Sequence, residues 1–244
     1  MSLWTPLLWL ALISPLLLLA QLLTKKTNPK YLFLFAAYFL AYAYARLLGF
    51  EYLNLKFLNL DLNWGGTILS LLLALLFLWY HAKTIRQNMG FTTKVNKETV
   101  KLGVLIFFGI LIFDFGFKML LFPKGGHFEM EQFLFQASMP GLSEEIVYRG
   151  ILLWILSKAF VPTKKIKGVV FGWGFVIVTF LFAMIHGVML TETMEFKIDI
   201  VTIIYLTLVT SLSLGILRKF SGNLVLPTLG HNLVNLMNFF IRLL

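Results

Sequence analysis

Apolar blocks of membrane-spanning length recur along this chain, separated by short polar segments, and that recurrence restricts the fold more than any other feature. The blocks cover residues 3–23, 31–50, 64–80, 102–122, 132–157, 169–190, 200–217 and 223–244. Hydrocarbon offers no partner for an exposed N–H or C=O, so a single apolar segment crosses a bilayer as a helix. The expected fold is an all-α membrane protein of about eight transmembrane helices. With no internal repeat and no soluble appendage, residues 1–244 read as one polytopic membrane domain.

The intervening charges test this threading. Segments following the first, third, fifth and seventh blocks hold 14 Lys/Arg and one acid, Glu98. Those following the second, fourth and sixth hold three Lys and seven acids. A bias that alternates with each crossing is the positive-inside pattern, and it predicts a multi-pass protein of the cell membrane with both termini outside the cytoplasm. The net charge of +10 therefore reports topology and contact with anionic headgroups of the lipid bilayer rather than nucleic-acid binding. Cysteine is absent, which excludes disulfides, thiolate metal sites and a cysteine nucleophile. The start, MSLWTP, has no basic region before its apolar run, so block 3–23 is expected to be a retained helix.

The segment GLSEEIVYRG at 141–150 sets Glu144, Glu145 and Arg149 inside the fifth block. Carboxylates at membrane depth are costly and need a partner or a function. Glu145 and Arg149, four apart, share a helix face and can neutralise each other, while Glu144 turns about 100° away and is left for chemistry. Pro140-Gly141 is expected to divide the block, with Ser143 capping the second piece. Two other charged positions invite plainer readings. Asp114 and Lys118 form an i,i+4 pair that helps pack the bundle, and Arg46, near the end of its block, snorkels to the interface.

Two histidines lie in late blocks. Phe182 and His186 share a face, as do His231 and Asn235. If these helices converge, Glu144, His186, His231 and Asn235 line one polar cavity within the membrane, formed by the C-terminal helices. A buried glutamate beside a histidine can take a proton from water, and a second imidazole with a carboxamide can donate to the oxyanion of a tetrahedral intermediate. That is a set for hydrolysing a peptide or amide bond without a protein nucleophile. Ser143 lacks a G-x-S-x-G setting, and no HExxH zinc signature is present.

The succession EExxxR (Glu144, Glu145, Arg149), FxxxH (Phe182, His186) and HxxxN (His231, Asn235) resembles the CPBP/Abi family, which comprises the type II CAAX prenyl endopeptidases and bacteriocin-processing or immunity proteins. The resemblance covers about 132–244. It implies an eight-helix intramembrane endopeptidase acting on a membrane-associated peptide or protein, prenylated or not. By that analogy Glu144 and His186 activate water, His231 and Asn235 form the oxyanion site, and Glu145, Arg149 and Phe182 support it. No cofactor or metal is favoured. Zinc on Glu144, His186 and His231 is the alternative, a chemically acceptable three-ligand set that leaves Asn235 without a role. A non-enzymatic alternative is an immunity or transport protein that grips a peptide or ion in the same cavity.

Overall fold

The computed structural model describes residues 1–53, 60–121 and 124–244. Of segment 51–63, expected at the surface, residues 54–59 lie outside the described residues, as do 122 and 123 at the end of the fourth block.

The first helices follow the apolar blocks closely. They are α1 (Thr5–Leu23), α2 (Pro29–Tyr52), α3 (Trp64–Tyr80) and, after the short α4 (Lys83–Asn88), α5 (Val100–Leu121). Local chemistry sets their starts. Asn28 accepts a hydrogen bond from the Lys30 amide with Pro29 in the first turn, and Asn63 accepts from Gly66 N at 2.9 Å. Helices α2 and α3 touch backbone to backbone. A Cβ on Gly65 would stand 2.1 Å from the Leu53 carbonyl oxygen and one on Gly66 2.1 Å from that of Arg46, so only glycine admits this crossing.

The fifth block is one continuous rod: α6 (Met130–Glu145), a π-helical segment (Ile146–Leu152) and α7 (Leu153–Ala159). This corrects the expected division at Pro140. Ser143 is no cap; its hydroxyl donates back to the Met139 carbonyl at 2.9 Å. The proline's effect is met by Asn232, whose Oδ1 accepts from Gly141 N at 2.9 Å and whose Nδ2 donates to the Ser138 carbonyl at 3.3 Å.

The sixth block is shorter than expected. Helix α8 (Trp173–Gly187) spans 15 residues, and its flanks pair into two antiparallel hairpins. These are β1 (Lys164–Ile166) with β2 (Val169–Phe171), and β3 (Val188–Leu190) with β4 (Phe196–Ile198). Val169, Val170 and Val188 are β-branched and favour strands, and Lys167-Gly168, both at positive φ, make the tight turn of the first hairpin. The seventh block is α9 (Ile200–Tyr205), a second π-helical segment (Leu206–Ser211) and α10 (Leu212–Ser221), ended by Gly222 at φ +79°. The last block is α11 (Val225–Leu243).

Among the described residues, four helices are long and apolar enough to cross a membrane: Thr5–Leu23, Pro29–Tyr52, Val100–Leu121 and Ile200–Ser221. Large apolar side chains such as Leu22, Phe33, Trp79 and Leu120 point outward, as a surface in contact with lipid tails requires. Interloop bonds gather the connections at two ends. At one, Asn28 N donates to Ala159 O, Val161 N to Lys26 O, Asn96 N to Ser221 O and Leu224 N to Gly90 O. At the other, Ser2 N donates to Leu190 O, Gly126 N to Arg242 O and Leu62 N to Glu131 Oε1. The loops that follow odd-numbered blocks meet at the first end, and the others meet with the termini at the second.

Candidate functional site

Glu144 and Glu145 are the last two residues of α6, immediately before the π-helical segment that carries Arg149. The widened turn is a common feature of functional sites, because it re-aims side chains without ending the helix. Glu145 is fully buried, and its Oε1 lies 3.0 Å from Arg149 Nη1, the pairing expected from their spacing. The same oxygen lies 2.8 Å from His231 Nδ1. Arg149 extends the network across to the second π-helical segment, donating from Nη2 to Ser211 Oγ at 3.1 Å. Its guanidinium also stacks 4.2 Å from the centre of the Phe182 ring.

Glu144 faces a different set. Its Oε2 is 4.0 Å from His186 Nε2 and 4.0 Å from His231 Nε2, while its Oε1 accepts from Arg46 Nη1 at 3.1 Å. Two expectations are corrected here. Arg46 does not snorkel but reaches inward from α2 to the carboxylate, so Glu144 is not left without an ionic partner. The polar cluster also draws on the N-terminal half of the chain rather than on C-terminal helices alone. The physical reason is the cost of a lone carboxylate at 7 % exposure, which a guanidinium from a neighbouring helix removes. With both histidines neutral, two glutamates and two arginines leave the cluster without net charge.

Both imidazoles are held in one tautomer by their inner nitrogens. His186 Nδ1 is 2.7 Å from the Phe182 carbonyl, which can only accept, so this nitrogen carries the proton. His231 Nδ1 meets the Glu145 carboxylate, which likewise accepts. In the neutral rings both Nε2 atoms therefore present lone pairs toward Glu144 Oε2. Phe182 is wedged between them, its ring 4.8 Å from that of His186 and 5.8 Å from that of His231. His186, in the last turn of α8 beside the β3–β4 hairpin, is 36 % exposed and forms the open edge of the cluster; His231 is buried. Asn235 follows one turn along α11, half-buried.

The structure thus brings Glu144, Glu145, Arg149, Phe182, His186 and His231 into one network, with Asn235 on the adjoining turn. Sequence reasoning missed Arg46, Ser211 and Asn232. Asp114 and Lys118 pair as expected at 2.7 Å and recruit Tyr205 and Asn238, forming a second buried group on α5, α9 and α11.

A helical protein with outward-facing apolar helices and a charge-balanced Glu/His network buried among them is a polytopic membrane protein with a built polar site. Residues 126–237 match the family model described as type II CAAX prenyl endopeptidase Rce1-like, the same family that the three motifs resemble. Every motif residue falls within the match, and Arg46 lies outside it. Searches of curated proteins and of solved structures found no match. The four apolar helices and this family match make the chain an integral membrane protein, and the family is one of proteases that act on membrane-associated proteins.

Proposed function

We propose that this protein is an intramembrane endopeptidase that hydrolyses a peptide bond of a membrane-associated protein or peptide with a water activated by Glu144. The observation that carries the proposal is the position of Glu144 Oε2, 4.0 Å from each of two imidazole Nε2 atoms. That interval is too long for a direct hydrogen bond, and one water at ~2.8 Å from Glu144 Oε2 and from His186 Nε2 would bridge it, donating one hydrogen to each. In this account eight segments cross the bilayer as one domain, residues 132–244 form its catalytic core, and the termini lie outside the cytoplasm.

The reaction follows from the proton positions. Arg46 is the counter-charge of Glu144, whose carboxylate accepts a proton from the bridging water while His186 Nε2 orients it. The attacking oxygen adds to the scissile carbonyl, and the carbonyl oxygen takes the negative charge. Asn235 is a neutral donor for that oxyanion. His231 adjoins that oxyanion position, its ring oriented by the Glu145 carboxylate at Nδ1. The proton held after water attack then goes to the leaving amine. His186, the exposed edge, marks where substrate enters.

The zinc alternative rests on the same atoms. Both Nε2 lone pairs and Glu144 Oε2 converge, and each Nδ1–H is held by an oxygen as in known histidine-metal sites. Those three atoms would hold the ion, and it would supply Lewis acidity at the scissile carbonyl. Two features favour the metal-free account. Tetrahedral zinc ligands stand about 3.3–3.4 Å apart, closer than the 4.0 Å intervals here, and Arg46 already neutralises Glu144. The test of function is incubation of the purified protein with prenylated and unprenylated hydrophobic peptides, with products read by mass spectrometry. A defined internal cut supports the protease; peptide retained intact on the protein supports the immunity or transport alternative.

A further inference from the structure

Where the loops after odd-numbered blocks meet, a cavity of about 80 Å³ opens between α7, α8 and α10. Its lining includes Asn88, Leu153, Phe175, Arg218 and Lys219. The two cations sit in the last turn of α10, and Arg218 is buried at 8 % exposure. Arg218 Nε donates to the Arg149 carbonyl at 3.2 Å and Nη2 to the Asn88 carbonyl at 3.4 Å. Both acceptors are neutral. Lys219 Nζ lies 5.6 Å from the centre of the Phe171 ring. Among the described residues neither cation is ion-paired with a carboxylate, unlike Arg46, Arg149 and Lys118.

Tethers from α10 to the π-helical segment and to α4 account for the two Arg218 hydrogen bonds, but not for a second cation beside it. The end of a helix carries roughly half a negative charge, which falls short of balancing two full positive ones. Buried charge without a counter-ion is costly, and a cavity between the two groups is where a counter-ion fits. We propose that this cavity binds a phosphate-type oxyanion, supplied by the headgroup of an anionic phospholipid. The surrounding segments carry Lys25, Lys26, Lys158, Lys164, Lys165 and Lys167, an end suited to an anionic membrane surface. The site is separate from Glu144 and stands whether or not the protein is a protease. It touches the same network through Arg149, whose carbonyl is held by Arg218 and whose side chain holds Glu145.

The experiment is thermal unfolding of the full chain in detergent with phosphatidylcholine alone, with added phosphatidylglycerol, or with inorganic phosphate at matched ionic strength. Wild type is compared with Lys219→Gln, chosen because Lys219 is only partly buried, and with Lys165→Gln in the exposed first hairpin. The expected result is a rise of several degrees with phosphatidylglycerol in wild type and Lys165→Gln, at least halved in Lys219→Gln. The same pattern with inorganic phosphate keeps the site and makes its ligand a soluble anion. No rise with either probe overturns the proposal, and so does a rise of equal size in Lys219→Gln. Loss of the rise in Lys165→Gln to the same extent also overturns it, since the attraction is then diffuse.

Discussion

Glu145 Oε1 stands 2.8 Å from His231 Nδ1 and 3.0 Å from Arg149 Nη1, so one buried oxygen serves both an imidazole and a guanidinium. In the proposed mechanism the second carboxylate of the motif serves the chemistry as well as the fold. Glu145→Gln keeps an acceptor for Nδ1–H but weakens the charge-assisted bond that orients the His231 ring, and turnover should fall by about 10–100-fold. Arg149→Ala leaves Glu145 buried without its counter-charge and should destabilise the protein by about 3–5 kcal/mol, read as a lower unfolding temperature. The double variant Glu145→Gln/Arg149→Gln separates the two roles. It should regain most of the stability and none of the activity; turnover near wild type would reduce Glu145 to a packing residue.

Arg46 is the cation of the site that comes from outside the family match. Arg46→Met should lower kcat/KM by ~10–100-fold, or ~1.4–2.8 kcal/mol of transition-state stabilisation, with Arg46→Lys retaining most of it. Because Arg46 is 25 % exposed, unfolding temperature should change far less than in Arg149→Ala. Unchanged kcat/KM in Arg46→Met would mean that Glu144 needs no counter-charge.

Much of this was legible in the sequence. Hydropathy locates the helices because hydrocarbon admits little else, and i,i+4 spacing pairs Glu145 with Arg149 and Asp114 with Lys118 because a helix fixes those neighbours. Contacts between helices are another matter. Arg46 and Glu144 are 98 residues apart, and nothing periodic links them. The available signal was charge: with Arg149 and Lys118 assigned, an arginine within one apolar block and a glutamate within another each still lacked a partner. The strands flanking α8 were hidden because a valine-rich run reads as a continuation of an apolar helix until a hairpin partner is known. The unbroken course through Pro140 was hidden for the same reason, since it depends on Asn232 of a distant helix.

That clasp is testable. Asn232→Ala leaves the Gly141 amide without its acceptor inside the α6–α11 contact and should cost about 1–3 kcal/mol of stability. Gly141→Ala should be worse, because the new Cβ would stand 2.3 Å from Asn232 Oδ1 and 2.5 Å from the Thr228 carbonyl oxygen. Thermal unfolding in detergent checks both; wild-type stability for either variant would mean that the two helices are not in contact at this point.

At the loop end of α9, the Thr202 hydroxyl at 2.6 Å and its amide at 2.9 Å hold the Asp199 carboxyl below the usual carboxylate range. A depressed folded-state value means that the stabilisation is present above the unfolded pKa of ~3.9 and is lost as pH falls through the lower folded value. Asp199→Asn should therefore lower the unfolding temperature at pH 7 and make no difference once the wild-type carboxyl is protonated. A deficit that persists unchanged at pH 3 would contradict the cap.

The central claim is that Glu144 activates water without a metal. The direct measurement is cleavage of a membrane-associated peptide by wild type and Glu144→Gln, each with and without a strong chelator, after confirming that both unfold at similar temperatures. The account predicts cleavage by wild type that the chelator leaves unchanged and that Glu144→Gln abolishes. Cleavage that the chelator stops and zinc restores would contradict it and move Glu144, His186 and His231 into a ligand shell.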